Sequence, residues 1–259
     1  MNKSTLSGIA IALCGIAVGL YLDGGKVGQM IQPTAFLIVF GGTLGAVMVQ
    51  FPFSIVMQAA RHLKEVFFPI QDPASQLIDD LIRYALRARR NGLVSLDAEL
   101  EFVEHPFLRR AMTLAIDGIR SPELRKTMEV EMDMEADKEE LIPKVFEAAG
   151  GFAPTIGILG AVIGLIQVMQ HLQSIDEVGK GIAVAFVATI YGVGSANIFF
   201  LPCAGRAKMS MQRRQVLREL ILEGVTSIVD KVNPRVLEAK LAVYLSRPTE
   251  TENMKMAAK

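Results

Sequence analysis

The residue types that most often do chemistry are thinly spread along this sequence. Its histidines, His62, His105 and His171, stand far apart and form no metal or catalytic constellation. Its cysteines, Cys14 and Cys203, both fall in apolar runs, at no metal-ligand spacing and in no disulfide framework. No nucleophile stands beside a base and there is no phosphate loop, so nothing points to an enzyme or a bound cofactor. The polar residues that raise a question lie in residues 152–206. That stretch reads FAPTIGILGAVIGLIQVMQHL, then a polar turn QSIDEVGK, then GIAVAFVATIYGVGSANIFFLPCAGR. Thr155 beside Pro154, then Gln167, Gln170 and His171, punctuate the first run; Thr189, Tyr191, Ser195 and Asn197 punctuate the second. A proton or sodium relay through apolar runs normally needs an ionisable group, which is expensive there and functional where it occurs. His171, at the end of its run, is the one candidate, because the apolar runs hold no Asp, Glu, Lys or Arg. If this chain conducts an ion, the carrier must come from another chain.

The elements that would position these residues follow from length. A helix needs about 20 apolar residues to cross a bilayer core, and both runs qualify. The turn between them, with Asp176, Glu177 and Lys180, is too short for a domain, so the two spans are antiparallel neighbours. Gly160 and Gly164 stand at the spacing that lets helices approach closely in lipid. Taken alone, that pattern describes a pair of packed anchor helices. Pro154 removes a backbone donor, and its plainest role is to start a helix.

Composition fits a membrane protein with a substantial water-exposed part: 51% of residues are hydrophobic, yet 21% are charged. Basic and acidic residues number 27 each, which gives no sign of a nucleic-acid partner. An apolar run at 5–22 follows a basic residue but no convincing cleavage site, and a second run, 33–53, follows a short loop. From 54 to 150 charges return and apolar residues recur at helical spacing: Leu77, Ile78, Leu81, Ile82, Ala85 and Leu86 share one side. Asn91-Gly92 ends that helix. Ser95 then caps a helix carrying Asp97, Glu99, Glu101 and Glu104. Pro106 begins another, and Ser121-Pro122 starts a long acidic stretch running into the third apolar run. After 206 a tail follows with Val216, Leu217, Leu220, Ile221 and Val225 at helical spacing, an Asn233-Pro234 helix start, and a disordered end at 246–259.

The expected fold is therefore all-α: four spans at about 5–22, 33–53, 152–172 and 181–204, a helical insert between spans two and three, and a helical tail. The domains are 1–53, 54–150, 151–205 and 206–259. Thirteen Lys and Arg lie in 54–150 and eleven in 205–259, while the two short loops hold only Lys26 and Lys180. The positive-inside rule puts both ends and the insert in the cytoplasm.

The segment APTIGILGAVIGL (153–165) resembles the third-span motif of the proton-channel superfamily that holds flagellar stator subunits and the ExbB and TolQ energisers. ARRNGLVSLD (88–97) and EGVTSIVDKVNPRVLEAKL (223–241) are similar to the flagellar, MotA-type branch. The likeness covers essentially the whole chain. It departs at Lys231, where many relatives carry glycine. The resemblance implies a bacterial inner-membrane stator subunit. Five copies would surround two copies of a single-span, peptidoglycan-binding B subunit, which carries the essential aspartate. Ion flow would turn the ring, and the insert would push the rotor protein FliG. By the same resemblance Pro154, Ala161, Thr189 and Pro202 belong to ion pathway and coupling, and Arg89, Arg90, Asp97 and Glu99 to rotor binding. Sodium-driven relatives place threonine where this chain has Ala161 and Ala188, so the expected ion is a proton. By position alone the charges read as a solvated helical face. Two other functions stand beside the stator: an ExbB/TolQ-type energiser, which has three spans, and a non-conducting membrane scaffold.

Overall fold

The computed structural model describes residues 3–25, 27–67 and 74–245. Lys26 and the end expected to be disordered, 246–259, lie outside the described residues. All regular structure among the described residues is helical. Helix α1, Lys3–Leu22, is followed by a 3₁₀ turn, Val27–Met30. Helix α2, Pro33–Gln50, opens with proline in its first turn, where the missing N–H costs nothing, and contains one π turn, Leu37–Gly41. Helix α3 is Phe53–Phe67 and α4 is Ala74–Asn91. A 3₁₀ segment, Leu93–Phe102, leads to α5, Pro106–Ile116. Helix α6, Ser121–Gln170, runs unbroken for 50 residues. Helix α7, Ile175–Val229, contains a second π turn, Ala196–Phe200, and α8 is Pro234–Leu245. Three of these, α2, α6 and α7, hold stretches long and apolar enough to cross a membrane; the apolar stretch of α1, Leu6–Leu22, is shorter.

Two compact units result, one of residues 1–70 and 138–210, the other of 71–137 and 211–259. In the first, Ala35 and Val39 of α2 pack on Val184, Val187 and Ala188 of α7. A second cluster joins Val47, Phe51 and Ala59 to Ile142, Val145 and Phe146 of α6 and to Cys203 and Ala204 of α7. The tightest contact in this unit is between α6 and α7. A Cβ built on Gly192 would sit 2.5 Å from the Ala153 carbonyl oxygen, and one on Gly157 2.9 Å from that of Ala188. The pattern repeats further along, where a Cβ on Gly164 would lie 2.8 Å from the Gly181 oxygen. The two backbones touch, as small residues allow in lipid.

The second unit has its own core. Leu77, Ile78, Leu81 and Ala85 of α4 are buried as their spacing predicts, whereas Leu86 is exposed. They join Leu96, Leu108 and Met112, Leu124 and Met128 from the start of α6, Leu220 and Ile221 from the end of α7, and Leu237 and Leu241 of α8. Burying each such side chain contributes about 1.5–3 kcal/mol.

Two local expectations are corrected. Ser95 does not cap an α-helix: its hydroxyl donates to the Gly92 carbonyl at 2.6 Å, and residues 93–102 wind as 3₁₀ turns pinned by the fully buried Leu96. Pro154 does not start a helix; it lies inside α6 together with Pro143. The departure at Lys231 has a clear backbone meaning. Lys231 takes φ 55, the left-handed region in which glycine is free and a side chain is strained, and the Val232 N–H reaches back to the Ser227 carbonyl at 3.0 Å to close α7.

If the α6–α7 contact holds this unit together, Gly192→Ala should lower thermal stability of the detergent-solubilised chain by about 1–3 kcal/mol through overpacking. Gly194→Ala meets no atom within 4 Å and should be neutral or better, because alanine favours helix. Equal melting of the two variants would refute the contact.

Candidate functional site

The expected ion-path residues lie in the first unit. Pro154 is half-buried, next to Ala153, whose carbonyl faces Gly192. Its ring deprives the Gly150 carbonyl of the usual helical donor. One residue on, the Thr155 hydroxyl donates to the Phe152 carbonyl at 2.8 Å. Thr189 is half-buried and donates to the Ala185 carbonyl at 3.2 Å. Ala188 beside it is fully buried, and a Cβ on Gly160 would stand 2.8 Å from its methyl. Ala161 and Thr189 each follow a member of that contact, so Pro154, Ala161 and Thr189 all border the seam between α6 and α7. Pro202 is exposed and stands apart from them in the chain, just after the π turn Ala196–Phe200.

Two residues here escaped the sequence reading. Pro143 is buried eleven residues before Pro154, three turns away on the same side of α6. Its signal is a lone proline in a helical period. Tyr191 was visible only as a polar residue in an apolar run. Its hydroxyl donates to the Met30 carbonyl at 2.5 Å and accepts from the Gln32 N–H at 3.4 Å. Its ring meets Phe36 edge-on at 6.4 Å. A buried tyrosine hydroxyl needs such a partner, and here it fastens the start of α2 to α7.

The expected rotor residues lie in the second unit, on the turn from α4 into the 3₁₀ segment. Arg89 and Arg90 are exposed in the last turn of α4, where the helix dipole favours cations. Gly92, at φ 83, reverses the chain. Asp97 is exposed. Glu99 is half-buried and bonded to the Arg87 guanidinium. Among the described residues Arg89, Arg90 and Asp97 form no ion pair, so the turn presents free charges of both signs while Glu99 is held internally. The histidines remain dispersed: His62 contacts Glu65 at 2.9 Å and His171 the Gln167 carbonyl at 3.0 Å. Among the described residues no cluster of three or more His, Cys, Asp or Glu could hold a metal.

Residues 6–86 match the Motility protein A N-terminal family and residues 99–220 the MotA/TolQ/ExbB proton channel family. Motility protein A of Bacillus subtilis is 34% identical over 249 residues, 95% of this chain and 91% of that one. The chain belongs to the MotA/TolQ/ExbB proton channel family. Its fold is similar to a chain of C. jejuni MotAB, with TM-score 0.89, 32% identity and coverage of 95% of this chain and 97% of that one. It is also similar to a chain of the flagellar MotAB stator complex from Bacillus subtilis, with TM-score 0.85, 33% identity and coverage of 99% and 100%.

In this member of the MotA/TolQ/ExbB family the tail motif works as a clamp inside the second unit. Glu223 accepts from Arg125 of α6 at 2.7 Å and from Lys240 of α8 at 3.1 Å. Arg125 also reaches the Thr226 hydroxyl at 3.1 Å. A Cβ on Gly224 would meet Leu81 of α4 at 2.5 Å, so the glycine admits that leucine. Asn233 turns the chain into α8: its side-chain oxygen accepts from the Arg235 N–H at 3.1 Å. Burial alone would raise the Glu223 pKa, but the hydrogen bonds from Arg125 and Lys240 outweigh it and hold the carboxyl below its ordinary value.

A folded-state pKa below that of the unfolded chain stabilises fully above the ordinary glutamate value, and that gain is lost as pH falls through the lower, folded-state value. Glu223→Gln should therefore destabilise at neutral pH by about 1 kcal/mol, given the partly solvated pair. The difference from the unsubstituted chain should fade through the acidic carboxylate range. Thermal unfolding of both proteins across that range checks it; a pH-independent gap would remove the charge from the explanation.

Proposed function

We propose that this chain is the ring-forming, channel-lining subunit of a bacterial flagellar stator. The observation that carries the reading is the α6–α7 seam. Two apolar helices lie in backbone contact, bordered by Pro154, Ala161 and the Thr189 hydroxyl. Residues 152–170 and 181–204 hold no Asp, Glu, Lys or Arg. Such a pair can shape an ion path and shift as one body, yet it cannot hold the ion. The carboxylate then comes from a single-span, peptidoglycan-binding B subunit, a reading supported by the likeness to chains of MotAB complexes.

In this reading the four spans are 5–22, 33–53, 152–172 and 181–204 in the bacterial inner membrane. Both ends, the insert 54–150 and the tail 206–259 are cytoplasmic, in keeping with where the basic residues fall. Five copies surround two B subunits. Protonation of the partner's carboxylate shifts the seam, Pro154 and Pro202 absorb the movement, and the ring turns. Thr189 keeps lone pairs for a water on the path. Arg89, Arg90 and Asp97 meet complementary charges on FliG, which gives register and steering more than affinity, and Glu99 fixes the turn through Arg87. The ion is a proton: partly dehydrated sodium needs several oxygen ligands, and Ala161 and Ala188 offer none at their side chains.

Two outcomes test this. Reversing both Arg89 and Arg90 to Glu should abolish swimming while the membrane complex still co-purifies with its partner, and a matching reversal on the rotor should partly restore motion. Normal swimming would remove these residues from the contact. For the ion, rotation should survive replacement of sodium by potassium at constant pH and stop with a protonophore; the opposite pattern would refute the proton.

A further inference from the structure

Helix α3, Phe53–Phe67, begins three residues after α2 ends, across the break at Pro52. Its inner face is accounted for. Ile55, Val56, Ala59 and Leu63 pack on Ile142, Val145, Phe146 and Ala149 of α6. Its outer face is not. Phe53 is 63% exposed and Met57 39%, and Ala60 continues the same line at helical spacing. Further along that side stand Arg61 and Lys64, both exposed and, among the described residues, without an ion-pair partner. The nearby Glu65 is turned to His62 at 2.9 Å. The face is therefore ordered along its length: apolar where the chain leaves α2, cationic from about 12 Å further on. The last turns of α2, just before it in the chain, also expose Leu44, Met48 and Val49.

We propose that α3 is an interfacial membrane helix whose occupant is the anionic lipid surface. Phe53 and Met57 enter the upper acyl region, and Arg61 and Lys64 hold lipid phosphates. A bilayer presents hydrocarbon first and phosphate next, the same order as this face. An amphipathic helix with aromatic and basic residues binds there by apolar burial plus attraction to anionic headgroups. The long Arg and Lys stems reach the phosphates from a backbone set lower. In a ring of five a neighbouring copy would present a face other than its own α3, so its contact is a separate outcome of the experiment. The proposal rests on reading Pro33–Gln50 as a membrane span.

The sequence contains no tryptophan, so Phe53→Trp adds one indole to this chain, read against the unsubstituted complex as blank. The full-length chain with its single-span partner is placed in phosphatidylcholine nanodiscs. One lipid in five is replaced by acyl-brominated phosphatidylcholine or by acyl-brominated phosphatidylglycerol. Both should quench the indole, the brominated phosphatidylglycerol at least about twofold more strongly, since each surface Lys or Arg attracts anionic lipid by about 1 kcal/mol. Adding Arg61→Gln and Lys64→Gln should bring the two lipids to parity while quenching by brominated phosphatidylcholine persists. Blue-shifted emission untouched by either lipid would mean that a neighbouring copy covers the face. Red emission quenched by acrylamide would mean water. Equal quenching before the Gln substitutions, or a preference that survives them, would overturn the role of the two cations. Val49→Trp, at a site 90% exposed near the end of α2, separates the premises. Its quenching by bromolipid upholds the span whatever the other site reports, and red emission quenched by acrylamide there overturns the span and the proposal together.

Discussion

Everything in the apolar unit depends on one contact, the meeting of two helix backbones with no side chain between them. Lipid offers no hydrophobic drive for helices to associate, so close packing has to supply it. Gly157 against Gly192 and Gly164 against Gly181 give two points of closest approach, with Gly160 and Ala188 between them. Because the contact is made of backbone, it tolerates no added carbon on either side. It also leaves no space for a carboxylate between the two helices. Exclusion of charge and closeness of packing are thus one constraint.

The polar unit is built by a different rule. Its helices are amphipathic, and their apolar faces converge on Leu81, Leu96, Leu220 and Leu241, all fully buried. Around that core a single carboxylate, Glu223, gathers an arginine from α6 and a lysine from α8. The result is a firm platform for the exposed turn that carries Arg89, Arg90 and Asp97. Free charges on an exposed turn cost little, since solvent screens them.

Much of this was legible in the chain. Charge-free runs, the glycine spacing at Gly160 and Gly164, and the period of Leu77 to Ala85 give helices and buried faces directly. The tail motif was legible as a likeness only; its chemistry appears when Glu223, seventeen residues before Lys240, is brought to it by the turn at Asn233. Three things were hidden. Pro154 looks like a helix start, because local rules cannot weigh the packing that carries α6 through a proline. Ser95 looks like a cap, because nothing local says that Leu96 must be buried and the following residues wound tighter. The π turns at Leu37–Gly41 and Ala196–Phe200 leave no mark in the local residue pattern. Lys231 is the opposite case: a departure at one position was visible, and its φ of 55 gives it meaning.

The Tyr191 tether has a consequence for how the protein is made. Its partners, Met30 and Gln32, leave the ribosome some 160 residues earlier, a sequence separation of 161 and 159. The chain entering α2 is therefore made with a carbonyl and an N–H whose eventual partner has not been synthesised. Until α7 is made, the Met30 carbonyl lacks this partner. Completion of this tether therefore waits on α7, and the start of α2 depends on a helix made long after it to become a finished part of the molecule.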